Sequence, residues 1–165
     1  MASILSTPSP APTAEAATAA GLEERLRVLE DRAELVALVD RFVHGLDAPA
    51  PLTEDRYRAL LTEDVLLSLP SGTHRGVAGL PGFLGTPKEL WARTQHYATN
   101  CVVDVDGDTA VAHANIHAVH VPHDASAPLF GGGAHYDVRA ERTAAGWRIA
   151  ELTVSVLWTA EGGRG

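Results

Sequence analysis

Residues 111–121 read VAHANIHAVHV, and the conformation of this stretch governs everything around it. As a helix it would align His113, His117 and His120 on one face, and a metal site would follow naturally. As a strand it puts His113, Asn115 and His117 on one face with Val111, Val119 and Val121. His120 then turns to the other face, with the alanines and Ile116. Strand is favoured, because Asp106-Gly107-Asp108 supplies a hairpin turn before it, β-branched residues are frequent, and Pro122 stops it. Four residues along a strand cover about 13 Å, so His113 and His117 cannot share one ion and no metal is expected. Two imidazoles and an amide on one sheet face form either a solvated surface or the wall of a polar pocket.

His96–Val105 forms the preceding strand. A glycine-rich bend at Gly131-Gly132-Gly133 leads to a third strand at His135–Arg142, and a turn at Ala144–Gly146 to a fourth at Trp147–Trp158. Before these, Leu22, Leu26, Leu29, Ala33, Val36, Val39 or Asp40, and Val43 recur at three- and four-residue steps. They predict a long helix over about 22–46, with Glu23, Glu24, Arg27, Glu30, Asp31 and Glu34 on its polar side. Prolines at 49 and 51 end it. A second helix opens at Thr53 and runs through Tyr57, Leu60 and Leu61. Val65–Leu69 is a short strand, a glycine-rich loop follows, and Thr86-Pro87-Lys88-Glu89 opens a third helix carrying Leu90 and Trp91. Three helices and then antiparallel hairpins predict an α+β domain with the helices on one face of a curved sheet.

The 165 residues allow one domain: a disordered tail at 1–20, an α+β domain at 21–160 and a flexible end at 161–165. Apolar residues at 45% are enough for a core, and a net charge of −8 argues against nucleic acid or an anionic membrane as partner. The single cysteine, Cys101, excludes a disulfide framework and any cysteine-built metal site. No apolar run reaches the roughly 20 residues of a membrane span, and no secretory leader is visible, so the expected location is cytoplasmic.

Chemistry is concentrated in few places. Asp47, at the end of the long helix, is either an Asx-turn residue before the prolines or a carboxylate aimed into a cavity to orient a histidine. His96 opens its strand in Thr94-Gln95-His96. Tyr136 shares a face with Val138 and Ala140; His135, Asp137, Arg139 and Glu141 take the other. Trp158 falls with Leu152, Val154 and Val156 and reads as core or cavity wall. His120 has no partner that the pattern identifies. No catalytic triad signature, phosphate-binding loop or paired zinc motif is present.

Several strings, in order, carry a family resemblance: Gly45-Leu46-Asp47, Leu60-Leu61-Thr62-Glu63-Asp64-Val65, Arg75-Gly76, Thr94-Gln95-His96, Val105-Asp106-Gly107-Asp108-Thr109-Ala110, Tyr136-Asp137 and Gly146-Trp147-Arg148-Ile149. Over about residues 23–158 the chain resembles the SnoaL-like group of the nuclear-transport-factor-two-like superfamily. The resemblance implies a cone: a curved antiparallel sheet wrapped by three N-terminal helices around a deep, mostly apolar pocket, in a homodimer or higher homo-oligomer. The site pattern is similar to that of scytalone dehydratases. Their helix-end aspartate falls on Asp47, the histidine of their Thr-Gln-His string on His96, and a second histidine, placed by Val121-Pro122-His123, on His117. Their tyrosines fall on Leu46 and Leu69, and an asparagine on Tyr136. Ketosteroid isomerase chemistry is disfavoured, since Phe42 and Leu69 stand where it needs a tyrosine and an aspartate.

The expectation is therefore a cofactor-independent lyase, isomerase or cyclase acting on a small apolar oxygenated substrate. His96, His117 and Asp47 would be catalytic, with Asn115, Tyr136, His113, Trp158, Phe42 and Leu69 as substrate contacts. The alternative is a non-catalytic ligand-binding or assembly subunit of the same fold.

Overall fold

In the computed structural model, residues 14–50 and 52–162 are described. Their elements run α1 (Ala14–Leu46), α2 (Glu54–Arg58), β1 (Leu61–Leu69), β2 (Gly72–Arg75), α3 (Leu80–Glu89), β3 (Arg93–Asp106), β4 (Thr109–Val121), β5 (Leu129–Thr143) and β6 (Gly146–Gly162). The six strands form one curved, unclosed sheet in the order β2-β1-β6-β5-β4-β3. Every pairing is antiparallel except β1 with β6, which is parallel, so the sheet is mixed and not wholly antiparallel. The hairpin of β1 and β2 separates α2 from α3, so the helices do not all precede the sheet.

Residues 111–121 are a strand, and the alternation along them is strict. Ala110, Ala112, Ala114, Ile116 and Ala118 are buried, while Val111, His113, Asn115 and His117 are exposed. Small residues on the inner face leave room for α1, which lays Leu35, Leu38, Val39, Phe42 and Val43 into the core beside Val103, Val138, Ile149 and Leu152. Each fully buried leucine or valine of this set stabilises the fold by about 1.5–3 kcal/mol.

Asp31 departs from the polar side expected of it. It is buried, accepting hydrogen bonds from Arg142 Nη2 at 2.7 Å and Trp147 Nε1 at 3.1 Å. The bond from Arg142 holds its carboxyl below the ordinary range, against the opposing effect of burial. Arg142 lies over the Trp147 ring at 4.3 Å, so one cation ties α1 to the β5–β6 hairpin.

Other boundaries shift for physical reasons. α1 begins at Ala14, so the last part of the expected tail is helical; residues 1–13 lie outside the described set. β6 continues to Gly162 because Glu161 and Gly162 pair with Phe130 and Leu129; only 163–165 of the expected flexible end lie outside the described residues. α2 stops at Arg58, and β1 takes up Leu61 to pair with Ile149. α3 spans 80–89, so Thr86-Pro87-Lys88-Glu89 closes a helix instead of opening one, and Trp91 falls beyond it. Burial of Val77, Leu80 and Leu84 sets that earlier start and overrides the local capping signal. The three glycines at 131–133 are not a bend: they pair with Val119, Ala118 and His117 inside β5.

Candidate functional site

A cavity of about 380 Å³ opens between the inner face of the sheet and the helices. It exists because large side chains are missing there: Ala118, Gly132 and Ala134 line it from the sheet. Leu46, Leu69, Leu84, Trp91, Phe130 and Val154 supply most of the wall. The polar groups in the lining are few, and they include Thr94, His96, His120 and Tyr136.

Asp47 follows directly on α1, in a turn closed by its N–H donating to the His44 carbonyl at 3.1 Å. Thr94 and His96 are two apart on β3, so hydroxyl and imidazole emerge on one face while Gln95 and Tyr97 face away. All three meet. Asp47 Oδ1 accepts from His96 Nδ1 at 2.6 Å and from Thr94 Oγ1 at 2.9 Å, and Oδ2 accepts from the His96 backbone N–H at 2.8 Å. Burial works against ionisation of Asp47, but the bonds from the His96 ring, its N–H and Thr94 outweigh it and hold the carboxyl below the usual range. An ionised carboxylate only accepts, so Nδ1 of His96 carries the proton. In its neutral form the ring then presents its lone pair on Nε2.

A second imidazole stands 5.6 Å from the first, edge to face at 82°, and it is His120. Trp91 (5.1 Å) and Phe130 (5.7 Å) enclose it and stack on each other at 5.6 Å. Burial lowers the pKa of His120 and favours its neutral form, and a proton taken up by His96 would lower it further. Its Nδ1 is buried without a hydrogen-bond partner. Burial, with the negative charge of Asp47, pushes the Tyr136 phenol well above its ordinary value, so it remains a donor.

The structure brings Asp47 and His96 together, with Tyr136 and Leu69 on the same cavity. It does not bring His117 there. His117 is exposed on the outer face, stacked between Tyr97 at 6.2 Å and Trp158 at 5.5 Å. Asn115 and His113 share that outer face, His113 Nδ1 lying 2.6 Å from Asp137 Oδ1. Phe42 is core and is not among the cavity-lining residues. Trp158 is corrected by a β-bulge: Val156 pairs with Ala134 but Trp158 with Gly133, so Leu157 is an extra residue that reverses the alternation. Val154 and Val156 line the cavity, and Trp158 turns outward over Gly133, where any side chain would collide with its indole.

The residue missed by sequence reasoning is His120. The signal was present in strand parity, which sets it with Ile116 and the alanines, opposite His117. Among the described residues no group of three or more histidine, cysteine or acidic side chains is placed to hold a metal ion.

Residues 27–153 match the model of the SnoaL-like domain family. The chain belongs to that family. Among solved structures, a hexachlorocyclohexane dehydrochlorinase (LinA) of type 2 is 20% identical with a TM-score of 0.71, over 84% of this chain and 93% of its own. A scytalone-dehydratase-like protein of Novosphingobium aromaticivorans is 18% identical, TM-score 0.69, over 84% and 91%. A nuclear transport factor 2-like superfamily protein of Salmonella enterica is 18% identical, TM-score 0.69, over 84% and 99%. At these identities the likeness shows the fold. No match was found among curated proteins. Among the described residues of this SnoaL-like protein, no helix is long and apolar enough to cross a membrane.

Proposed function

We propose that the SnoaL-like chain is a lyase, isomerase or cyclase that works by proton transfer without a cofactor, and that Asp47 and His96 are its base. The observation that carries this is the 2.6 Å contact between Asp47 Oδ1 and Nδ1 of His96, a residue that lines an apolar cavity. Asp47 holds the tautomer that bares Nε2, and its charge stabilises the imidazolium that forms when Nε2 takes a proton. Among the described residues the cavity wall carries no lysine or arginine, so it suits an uncharged substrate, such as an oxygenated polyketide, terpenoid or aromatic intermediate.

In the dehydratase form, Nε2 removes the proton alpha to a carbonyl and the electron pair moves onto the carbonyl oxygen. Tyr136 is the group suited to donate to that oxygen. Collapse of the enolate forms the C=C bond and expels the β-hydroxyl, which takes the proton back from His96 as water. His120, kept neutral by burial, positions the substrate through hydrogen bonding and does not serve as the acid. It replaces His117 as the second histidine of the mechanism. Asn115, His113, Trp158 and Phe42 drop out as contacts because they do not reach the cavity. The dehydrochlorinase and the scytalone-dehydratase-like protein are both named for eliminations, which fit the same base. A cytoplasmic location and self-association belong to the same proposal.

The test uses a panel of ring ketones bearing a β-hydroxyl, incubated with the protein in deuterated water. Alpha-deuteration or loss of water, read by mass spectrometry, is expected from the wild type and falls by about 10²–10⁴-fold in His96→Ala. Turnover that persists in both His96→Ala and Asp47→Asn would end the proposal.

A further inference from the structure

The N-terminal part of the apolar stripe of α1, from Leu22 to Leu29, does not face the core. Leu22, Leu26 and Leu29 are 56%, 49% and 62% exposed, and from Gly21 to Glu30 no side chain is buried. The buried positions of the helix begin at Asp31 and continue through Leu35, Leu38, Val39 and Phe42. At 100° per residue the leucine stripe lies roughly 150° around the axis from them, on the back of the helix. This surface is separate from the cavity, and its role is independent of the proposed chemistry.

The stripe has a heptad spacing: Leu22, Leu26, Leu29, Ala33 and Val36 step by four and three, the seam of a two-stranded coiled coil with leucines 22 and 29 at d and Leu26 and Ala33 at a. The flanks are charged in a sorted way. Both e positions next to the exposed leucines are acidic, Glu23 and Glu30, and both g positions are basic, Arg25 and Arg32. None of these four has an ion-pair partner among the described residues, whereas Arg27 at a b position is paired with Glu24 at 2.8 Å. Two parallel helices set each g residue against the e residue of the next heptad of the other, so Arg25 of each copy meets Glu30 of its mate. Two antiparallel helices would set arginine against arginine and glutamate against glutamate. Asp40 occupies the next a position and ends the seam with like charge.

We propose that the first half of α1 pairs in parallel with the same segment of a second copy of this chain, through Leu22, Leu26 and Leu29. The domains then lie on opposite outer sides of the pair, because the core faces of the two helices point away from the seam. A free seam of about two heptads is too short to hold alone, but the helix is anchored by its second half, which lowers the ordering cost.

The test is symmetric cross-linking of the full chain. In a Cys101→Ser background, Leu22→Cys and Leu29→Cys should each give a covalent dimer under mild oxidation, at least tenfold faster than Glu24→Cys at an f position, on the side away from the seam. Cross-linking no faster than Glu24→Cys at both positions overturns the proposal. Charge reversal checks the orientation by sedimentation at low salt. Arg25→Glu and Glu30→Arg should each associate at least threefold more weakly alone, and an equimolar mixture should recover. A mixture no tighter than either variant overturns the parallel arrangement. Leu22, Glu24, Arg25, Leu29 and Glu30 are exposed, so far-UV circular dichroism of each variant should match that of its parent chain.

Discussion

The molecule carries two aspartate–histidine pairs of the same length, on opposite faces of one sheet. Asp47 and His96 meet at 2.6 Å with side chains 18% and 13% exposed. Asp137 and His113 also meet at 2.6 Å, but at 52% and 60% exposed. The inner carboxylate takes three hydrogen bonds, from a ring, an N–H and a hydroxyl; the outer one takes the single bond to His113. The pair geometry alone therefore does not mark a reactive site. The difference lies in a concave, largely apolar surrounding, where a fixed tautomer and a held charge have consequences. The outer pair, screened by water, is worth about 0–1 kcal/mol, as exposed ion pairs are.

Removing each imidazole in turn should separate the two pairs most widely. His96→Ala should lower kcat by about 10²–10⁴-fold, the usual contribution of a positioned base. His113→Ala should leave it within about twofold, and steady-state rates on one turned-over ketone decide. Stability gives the next contrast. Asp47→Ala strands the His96 N–H and the Thr94 hydroxyl half-buried and should cost about 1–3 kcal/mol in urea unfolding. Asp137→Ala should stay within about 0.5 kcal/mol.

The same contrast shows how much was legible in the sequence. Strand parity was readable: alternation placed His113, Asn115 and His117 on one face and His120 on the other, and the structure keeps that division. Which face was the inside was not readable from the strand alone. Four alanines do not announce a core, and three polar residues look like pocket chemistry until α1 and the cavity are seen to lie on the alanine side. Matching by Val121-Pro122-His123 then selected the outward His117. The Asp47–His96 meeting depended on residues 49 apart in sequence and came only through family resemblance. Trp158 was lost to a single extra residue, Leu157, because a bulge leaves no mark in an apolar run. Asp31 was assigned to the solvated side because its partners, Arg142 and Trp147, are more than 110 residues away.

Acid titration extends the contrast to smaller effects. The folded pKa of Asp47 lies below its ordinary 3.8, so the stability it contributes is present above that value and is lost as pH falls through the lower, folded one. The gap in unfolding free energy between wild type and Asp47→Asn should thus be full at neutral pH and shrink below about pH 3.8. His120 carries a smaller effect of the same sign. Its folded pKa is lowered from 6.5, so stability falls as pH drops below 6.5 towards the folded value. His120→Phe should flatten that part of the profile, seen as Tm against pH. It should also raise KM more than it lowers kcat, as suits a group that positions substrate.

The proposed chemistry stands on Asp47 fixing His96 as the Nδ1-protonated tautomer, which leaves Nε2 as the base in the cavity. Long-range ¹H–¹⁵N NMR of the histidine side chains reads this directly. In the wild type, the neutral form of His96 should show a protonated Nδ1 and an unprotonated Nε2, and Asp47→Asn should lose that preference. A neutral His96 protonated at Nε2, with or without Asp47, would contradict the account.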